Sequence, residues 1–250
     1  MSTSPYPHDS LQRLQAIERD IVAVIDELCR KNGIDYFIDG GTCLGAVRHG
    51  GFIPWDDDVD LGMPKADYDR FCALAPEQLP EGYSLHTSAN TKGFSGLWAK
   101  VFKGGTRFID DNSFEAGCEQ GAFVDVFPYC QLDADPKVAQ AQCSKARMTQ
   151  LKSYLKHFSR PKLPASTPLK PLVELGCKFV HATIARTWKQ EDLQKAFDHA
   201  FDTDNPAQLW TDAAYPHWGS FETDVLFPTV DIDFDGLKLR APRDCESYLT

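Results

Sequence analysis

The sequence predicts an α+β fold: a mixed sheet flanked by helices, with a helical middle region. Three observations point to it. Short apolar runs bounded by glycine or proline alternate with helical repeats through the first half of the chain. The stretch after Pro136 reads mostly as helix, and two apolar runs flanking Asp235-Gly236 bring back strand near the end. With 250 residues, 42% of them hydrophobic, the chain can bury a substantial core.

The elements follow in order. Leu11, Leu14, Ile17, Ile21, Ile25 and Leu28 recur at helical spacing, from a cap at Ser10 to a stop at Gly33. Residues 34–38 (Ile-Asp-Tyr-Phe-Ile) read as a short strand, ended by Gly40-Gly41. One or two helical turns follow over 42–48, and 59–63 reads as a second strand. Pro64 suits a first helical position, and Tyr68, Phe71 and Leu74 supply the apolar face of the helix it opens. Further strands are expected at 97–102 and 122–127, and helices at 136–157, 169–187 and 191–202, with a linker at 163–168. A hairpin pairs 230–234 with 237–240. The chain divides on this reading into a front unit at 1–135, a helical region at 136–220 and a C-terminal hairpin at 221–250 that returns to the front unit.

Composition narrows the function. The formal net charge is −10, which argues against a broad nucleic-acid footprint, so no nucleic-acid partner is expected. A phosphorylated ligand remains open, because bound metal ions reverse local charge. The first fifteen residues lack a basic region followed by an apolar run, and no apolar stretch is long enough to span a bilayer. A cytoplasmic protein is expected, with reduced cysteines. Cys118, Cys130 and Cys143 could share a metal, but no CxxC pair supports that.

The segment Ile53-Pro54-Trp55-Asp56-Asp57-Asp58-Val59-Asp60-Leu61 is the most informative. Four carboxylates in five positions repel one another unless cations neutralise them. Asp58 and Asp60, two apart at the start of a strand, would present their carboxylates on one face while Val59 and Leu61 enter the core. Hard divalent ions such as Mg²⁺ or Mn²⁺ favour that oxygen-rich geometry. A solvated acidic turn is the plainer reading, but the strand pattern after the acids favours metal. Upstream, Gly40-Gly41-Thr42 sits between a strand and a helix, where backbone amides and a hydroxyl can hold a phosphate. Arg48 is a candidate phosphate contact, or simply a charge that complements the helix C-terminus. His49 reads as a loop residue. Asp125 is an acid inside the apolar run Phe123-Val124-Asp125-Val126-Phe127, so it aims at a site or sits at an edge. Lys100 is a candidate cation for a leaving phosphate, or an ordinary exposed lysine.

The run from Asp39 through His49-Gly50-Gly51-Phe52-Ile53-Pro54-Trp55 to Asp60 closely resembles the signature of the LicD family. Residues 121–128 look like that family's second block, and 227–249 like its third, although the family usually continues beyond this point. The resemblance implies a nucleotidyltransferase-like fold, with the catalytic core at 1–135. It implies that Asp58, Asp60 and Asp125 are catalytic and hold Mg²⁺ (or Mn²⁺), and that Gly40, Gly41 and Thr42 hold the donor's phosphates. The activity it implies is transfer of a phospho-alcohol, foremost phosphocholine from CDP-choline, to a hydroxyl of a cell-surface or lipid-linked glycan, in the cytoplasm or at the inner face of the membrane with peripheral association. Asp125 would assist deprotonation of the acceptor. The roles of Asp56 and Asp57 stay open, as do ribitol, glycerol or ethanolamine in place of choline. For choline, Trp55, Trp98, Tyr154, Trp210 and Trp218 are available as an aromatic cage, each of them also explicable as packing.

Two rivals remain, the first also an enzyme and the second of a different class. Asp56-Asp57-Asp58-Val59-Asp60 satisfies the DDxxD diphosphate motif of helical prenyl synthases, but Pro54 and the flanking glycines oppose a helix there. A scaffold that binds nucleotide or sugar without catalysis would be expected to lack one of the metal acids, and all three are present.

Overall fold

The computed structural model describes residues 7–109, 111–160 and 168–250. Residues 1–6, most of the predicted linker (163–167) and Asp110 lie outside the described residues. The elements are α1 (His8–Asn32), β1 (Phe37–Ile38), α2 (Gly40–His49), β2 (Asp60–Pro64), α3 (Lys65–Gln78), β3 (Tyr83–His86), β4 (Ala99–Lys103), α4 (Asp111–Glu115) and β5 (Phe123–Asp133). They continue with α5 (Pro136–His157), α6 (Lys170–Ala182), a 3₁₀ turn at Ile184–Thr187, α7 (Gln190–Asp198), β6 (Pro206–Asp212), β7 (Phe221–Glu222), α8 (Thr223–Leu226), β8 (Val230–Phe234), β9 (Leu237–Ala241) and α9 (Cys245–Tyr248). The fold is mixed α+β, as the sequence predicts.

β5 organises the sheet. It pairs in parallel with β2 on one side, Asp60 opposite Asp125 and Pro64 opposite Tyr129. Its other side is shared end to end by two antiparallel strands. β4 takes the first half, with Lys100 opposite Asp125. β6 takes the second, with Asp212 opposite Tyr129. β1 and β3 extend the two flanks and β7 adds to β6. Between β4 and β6 the ladder along that side is interrupted at Phe127–Pro128, where Pro128 has no N–H to give and its carbonyl accepts the Ala213 amide at 2.9 Å.

Residues paired across neighbouring strands share a face, and so do residues two apart along one strand. Leu61, Met63, Val101, Val124 and Val126 are fully buried along one face, in the layer where α1 and α3 meet β2, β4 and β5. The other face carries Asp60, Asp125, Lys100, Tyr129 and Asp212. One core cluster runs from Ile21 through Ala146 and Phe197 to Tyr248, so helical middle and C-terminal hairpin both pack into it.

The structure corrects several expected boundaries. α1 begins at His8 with Pro7 in the cap position, and Ser10 lies inside the first turn, its amide reaching Pro7 O at 2.9 Å. The first strand pairs only at Phe37–Ile38; Ile34 and Tyr36 are buried but make no ladder, and Ile34 O accepts from Arg240 at 2.9 Å. The strand expected at 122–127 runs on to Asp133, since Pro128 sits where the ladder lapses. The region 136–220 is therefore not all helix: it contains β6, whose partner is that unforeseen second half of β5. β3 was also unforeseen. The hairpin forms as expected, Asp235 and Gly236 both at positive φ. Its tip docks on Gly50, whose carbonyl accepts the Asp235 amide at 2.7 Å.

Gly62 lies on the acidic face, where a Cβ would come within 2.5 Å of Phe37 Cζ and 2.8 Å of Tyr129 Cε2. Gly62→Ala should lower stability by about 1–3 kcal/mol in urea denaturation, overpacking outweighing the strand propensity that alanine gains. Unchanged or increased stability would contradict this packing.

Candidate functional site

The site forms where the strands start and where α2 begins. Asp60 and Asp125 are neighbours on parallel strands, and Lys100 follows Asp125 across the next ladder. Asp125 is 7% exposed and both its oxygens are engaged: Oδ1 accepts from Trp98 Nε1 at 2.6 Å and Oδ2 from Lys100 Nζ at 3.0 Å. The lysine also lies 3.2 Å above the Phe123 ring centroid. Trp98 is set by α5, where Gln150 caps the Leu97 amide at 3.0 Å and Ser153 donates to Ser95 O at 2.7 Å.

The acidic segment is a loop running into β2. Carboxylate oxygens of Asp56, Asp57 and Asp58 lie within 4.8 Å of one another, the one such group among the described residues. Asp58, Asp60 and Asp125 do not form so tight a set, and Cys118, Cys130 and Cys143 form none among the described residues. α1 holds the loop, since Gln15 Nε2 donates to Asp56 O at 2.9 Å. One turn along α1, Glu18 is 1% exposed and its Oε2 has no hydrogen-bond partner. Burial, then Asp58 and the neighbouring aspartates, push the Glu18 carboxyl up to about 10. Burial and the same crowding push Asp58 up to about 7 and Asp60 well above the usual carboxylate range. A divalent cation fits this donor set, because it would relieve the repulsion that otherwise keeps protons on these acids.

α2 opens beside the loop. Gly40 adopts φ +46°, and a Cβ on Gly41 would stand 3.2 Å from Asp56 Oδ2. The first helical bond runs from the Cys43 amide to Asp39 O at 3.1 Å, so the amides of Gly41 and Thr42 precede it and have no partner within the helix. The Gly40 amide donates to Tyr248 Oη at 3.0 Å. Asp39 does not cap the helix; it is buried and accepts from Tyr129 Oη at 2.9 Å and from Tyr248 Oη. Thr42 is 3% exposed and its Oγ1 accepts the Asp60 amide at 2.9 Å, so its hydroxyl fixes the start of β2. Arg48 is exposed at the far end of α2.

Two cavities adjoin this face. One, about 550 Å³, meets Asp57, Asp58, Lys100 and Asp125 beneath an aromatic wall that includes Trp98, Phe102 and Phe123. The second, about 350 Å³, runs along α2 past Gly40, Gly41 and Arg48 to Asp212 and Trp218. Tyr215 lines both. Of the other cage candidates, Trp55 is exposed, Trp210 packs on Phe227 and bonds Thr223, and Tyr154 meets Tyr215 through their hydroxyls at 3.3 Å. Glu18 and Asp212 escaped the sequence reading. Glu18 interrupts the apolar stripe of Leu14, Ile21 and Ile25, which is a usable signal. Asp212 lay in a stretch with no recognised strand, so nothing marked it.

Fold and site define a protein with a clustered carboxylate centre on a mixed sheet, beside a glycine-opened helix. The chain belongs to the LicD family. The family model described as LicD/FKTN/FKRP, nucleotidyltransferase domain, matches residues 33–167. The lipopolysaccharide cholinephosphotransferase LicD of Haemophilus influenzae is 32% identical over 144 residues, 57% of this chain and 53% of that protein. The ribitol 5-phosphate transferase FKRP of Homo sapiens is 37% identical over 98 residues, 39% of this chain and 17% of that protein. The chain thus aligns with about half the length of the first of these relatives and a smaller part of the second.

The Asp58 carboxyl keeps its proton to about pH 7 in the folded chain, against 3.8 ordinarily. Its contribution to metal-free stability therefore worsens as pH rises from about 4 to 7 and stays unfavourable above that. In thermal melts without metal, Asp58→Asn should raise Tm relative to the native sequence at pH 8 and change it little at pH 4. A lower Tm at pH 8 would show that Asp58 is not held under repulsion.

Proposed function

We propose that this protein is a Mg²⁺- or Mn²⁺-dependent transferase on a nucleotidyltransferase-like fold. It moves a phospho-alcohol from a CDP-activated donor to a glycan hydroxyl. The observation that carries the reading is the meeting of three features on one sheet face: the Asp60–Asp125 pair, the Asp56–Asp58 loop and the N-terminus of α2. The relatives add support, being named for transfer of cholinephosphate and of ribitol 5-phosphate. No helix of the described residues is long and apolar enough to cross a membrane. A cytoplasmic enzyme, acting at the inner face of the membrane on a lipid-linked glycan, fits this reading.

In this reading Asp58, Asp60 and Asp125 hold the divalent ion, with Asp56 or Asp57 beside them. The ion supplies charge neutralisation on the donor's diphosphate. The amides of Gly41 and Thr42 face the phosphates, and Arg48 and Lys100 contribute positive charge toward them. The acceptor oxygen attacks the phosphorus bearing the alcohol, the bond to CMP breaks, and the acceptor's proton passes to Asp125 once Lys100 turns to the leaving phosphate. Phosphocholine is preferred over ribitol, glycerol or ethanolamine phosphate because the larger cavity combines aromatic faces with Asp57 and Asp58, a combination that suits a quaternary ammonium.

Calorimetry with CDP-choline should show binding in Mg²⁺ and little in EDTA, with the Mg²⁺-dependent part abolished by Asp58→Ala. Turnover should fall at least about a hundredfold in the same variant. Asp125→Asn with full activity would remove Asp125 from proton transfer. Mg²⁺-dependent binding of CDP-ribitol instead of CDP-choline would change the alcohol and keep the mechanism, while no Mg²⁺-dependent binding would leave a non-catalytic nucleotide- or sugar-binding protein.

A further inference from the structure

The smaller cavity contains a polar group that no intramolecular contact explains. Asp212 is 4% exposed, yet it lines this cavity with Gly40, Gly41 and Arg48. One oxygen is fixed by the protein: Oδ1 accepts from the Ala214 amide at 2.7 Å. The Tyr215 backbone also favours the charged carboxyl, yet Oδ2 has no partner within hydrogen-bond geometry. A buried acceptor left unmade is costly, so its retention beside a cavity points to a ligand donor. The β5–β6 register places Asp212 opposite Tyr129, on the same sheet face as Asp125. Tyr129 is four residues beyond Asp125, so Asp212 stands about 13 Å along the strand from the acidic centre.

The surroundings narrow the ligand. Tyr215 and Trp218 stack with centroids 4.5 Å apart and planes 10° from parallel. Trp218 is nonetheless 65% exposed, an unusual state for a tryptophan that is only packing. A stacked aromatic pair beside a carboxylate suits a planar ring that carries a hydrogen-bond donor at its edge. The opening of α2 and Arg48, in the same cavity, suit phosphate. These features together describe a nucleotide whose base bears an exocyclic amine.

We infer that Asp212 is the specificity-determining residue for the donor's base, accepting a hydrogen bond from the 4-amino group of cytosine while the ring stacks at Tyr215–Trp218. The inference rests on the proposed use of a CDP-activated donor and names the residue that selects it. Burial and the nearby Asp39 raise the Asp212 carboxyl; the cytosine amine, a donor only, favours its charged form, whereas uracil offers N3–H flanked by two carbonyl oxygens that repel that form. The span of about 13 Å to Asp125 lets a nucleoside diphosphate reach from Asp212 to the acidic centre.

The test is calorimetric binding of CMP and UMP in Mg²⁺; neither carries a phospho-alcohol to transfer. The native protein should bind CMP about tenfold more tightly than UMP. Asp212→Asn, which keeps an acceptor for the Ala214 amide and gains a donor for the uracil carbonyl, should erase or invert that preference. Trp218→Ala should weaken both nucleotides by roughly five- to a hundredfold and leave their ratio unchanged. If Asp212→Asn does not fold, N4,N4-dimethyl-CMP decides on the native protein: it has no amine hydrogen and should bind about tenfold more weakly than CMP. An unchanged CMP:UMP ratio in Asp212→Asn, equal binding of the dimethyl analogue, or no native preference for CMP overturns the inference. A base preference governed by Asp212 without any transferase activity would sink the proposed function and leave this assignment standing.

Discussion

The parallel pairing of β2 with β5 is the constraint on which the rest of the site depends. It sets two carboxylates, Asp60 and Asp125, side by side on one face. Such a pair is unfavourable in isolation, so the surrounding structure is arranged to tolerate it. Lys100 and Trp98 neutralise and orient Asp125, and Thr42 takes the amide of Asp60. The remaining repulsion is shared by the loop before β2, Asp60 and Glu18, where it favours a cation. Charge that costs stability in the metal-free chain becomes affinity when an ion is present.

A second constraint closes the site from behind. Asp39, directly ahead of the glycine turn, is buried between the hydroxyls of Tyr129 and Tyr248. Burial raises its carboxyl, while both tyrosines favour the charged form. Tyr248 also takes the Gly40 amide, so the C-terminal helix, the second half of β5 and the start of α2 meet at one carboxylate. The hairpin adds a second tie at Gly50, and Arg240 adds a third through Asp35 at 2.6 Å. The last thirty residues thereby fix the angle at which α2 presents its amides, although they lie beyond the segment that the family model matches.

Much of this was legible in the residues. The hairpin announced itself through Asp235-Gly236, because positive φ at two successive positions admits few residue types. The acids at 56–60 and at 125 stood out because charge inside an apolar pattern needs a reason. The second half of β5 was hidden because Pro128 reads as a stop, and only the gap between β4 and β6 shows why the strand can pass through it. β6 was hidden with it: its alternation is weak, and its stability as a strand comes from the partner. Thr42 stood out in the sequence as a phosphate contact in the glycine turn, but its buried bond to Asp60 did not.

By itself, then, the sequence determined the chemistry available: clustered carboxylates, a glycine-opened helix, and an α+β frame to hold them. Local patterns suffice for that, since capping, turn formation and strand alternation act within a few residues. Tertiary structure alone decided which acids keep a cation partner, which hydroxyls are spent on backbone, and that Glu18 and Asp212 are buried with an oxygen left unpaired. Those outcomes depend on register between strands as distant as β2, β5 and β6, and on burial, which no short stretch of sequence encodes.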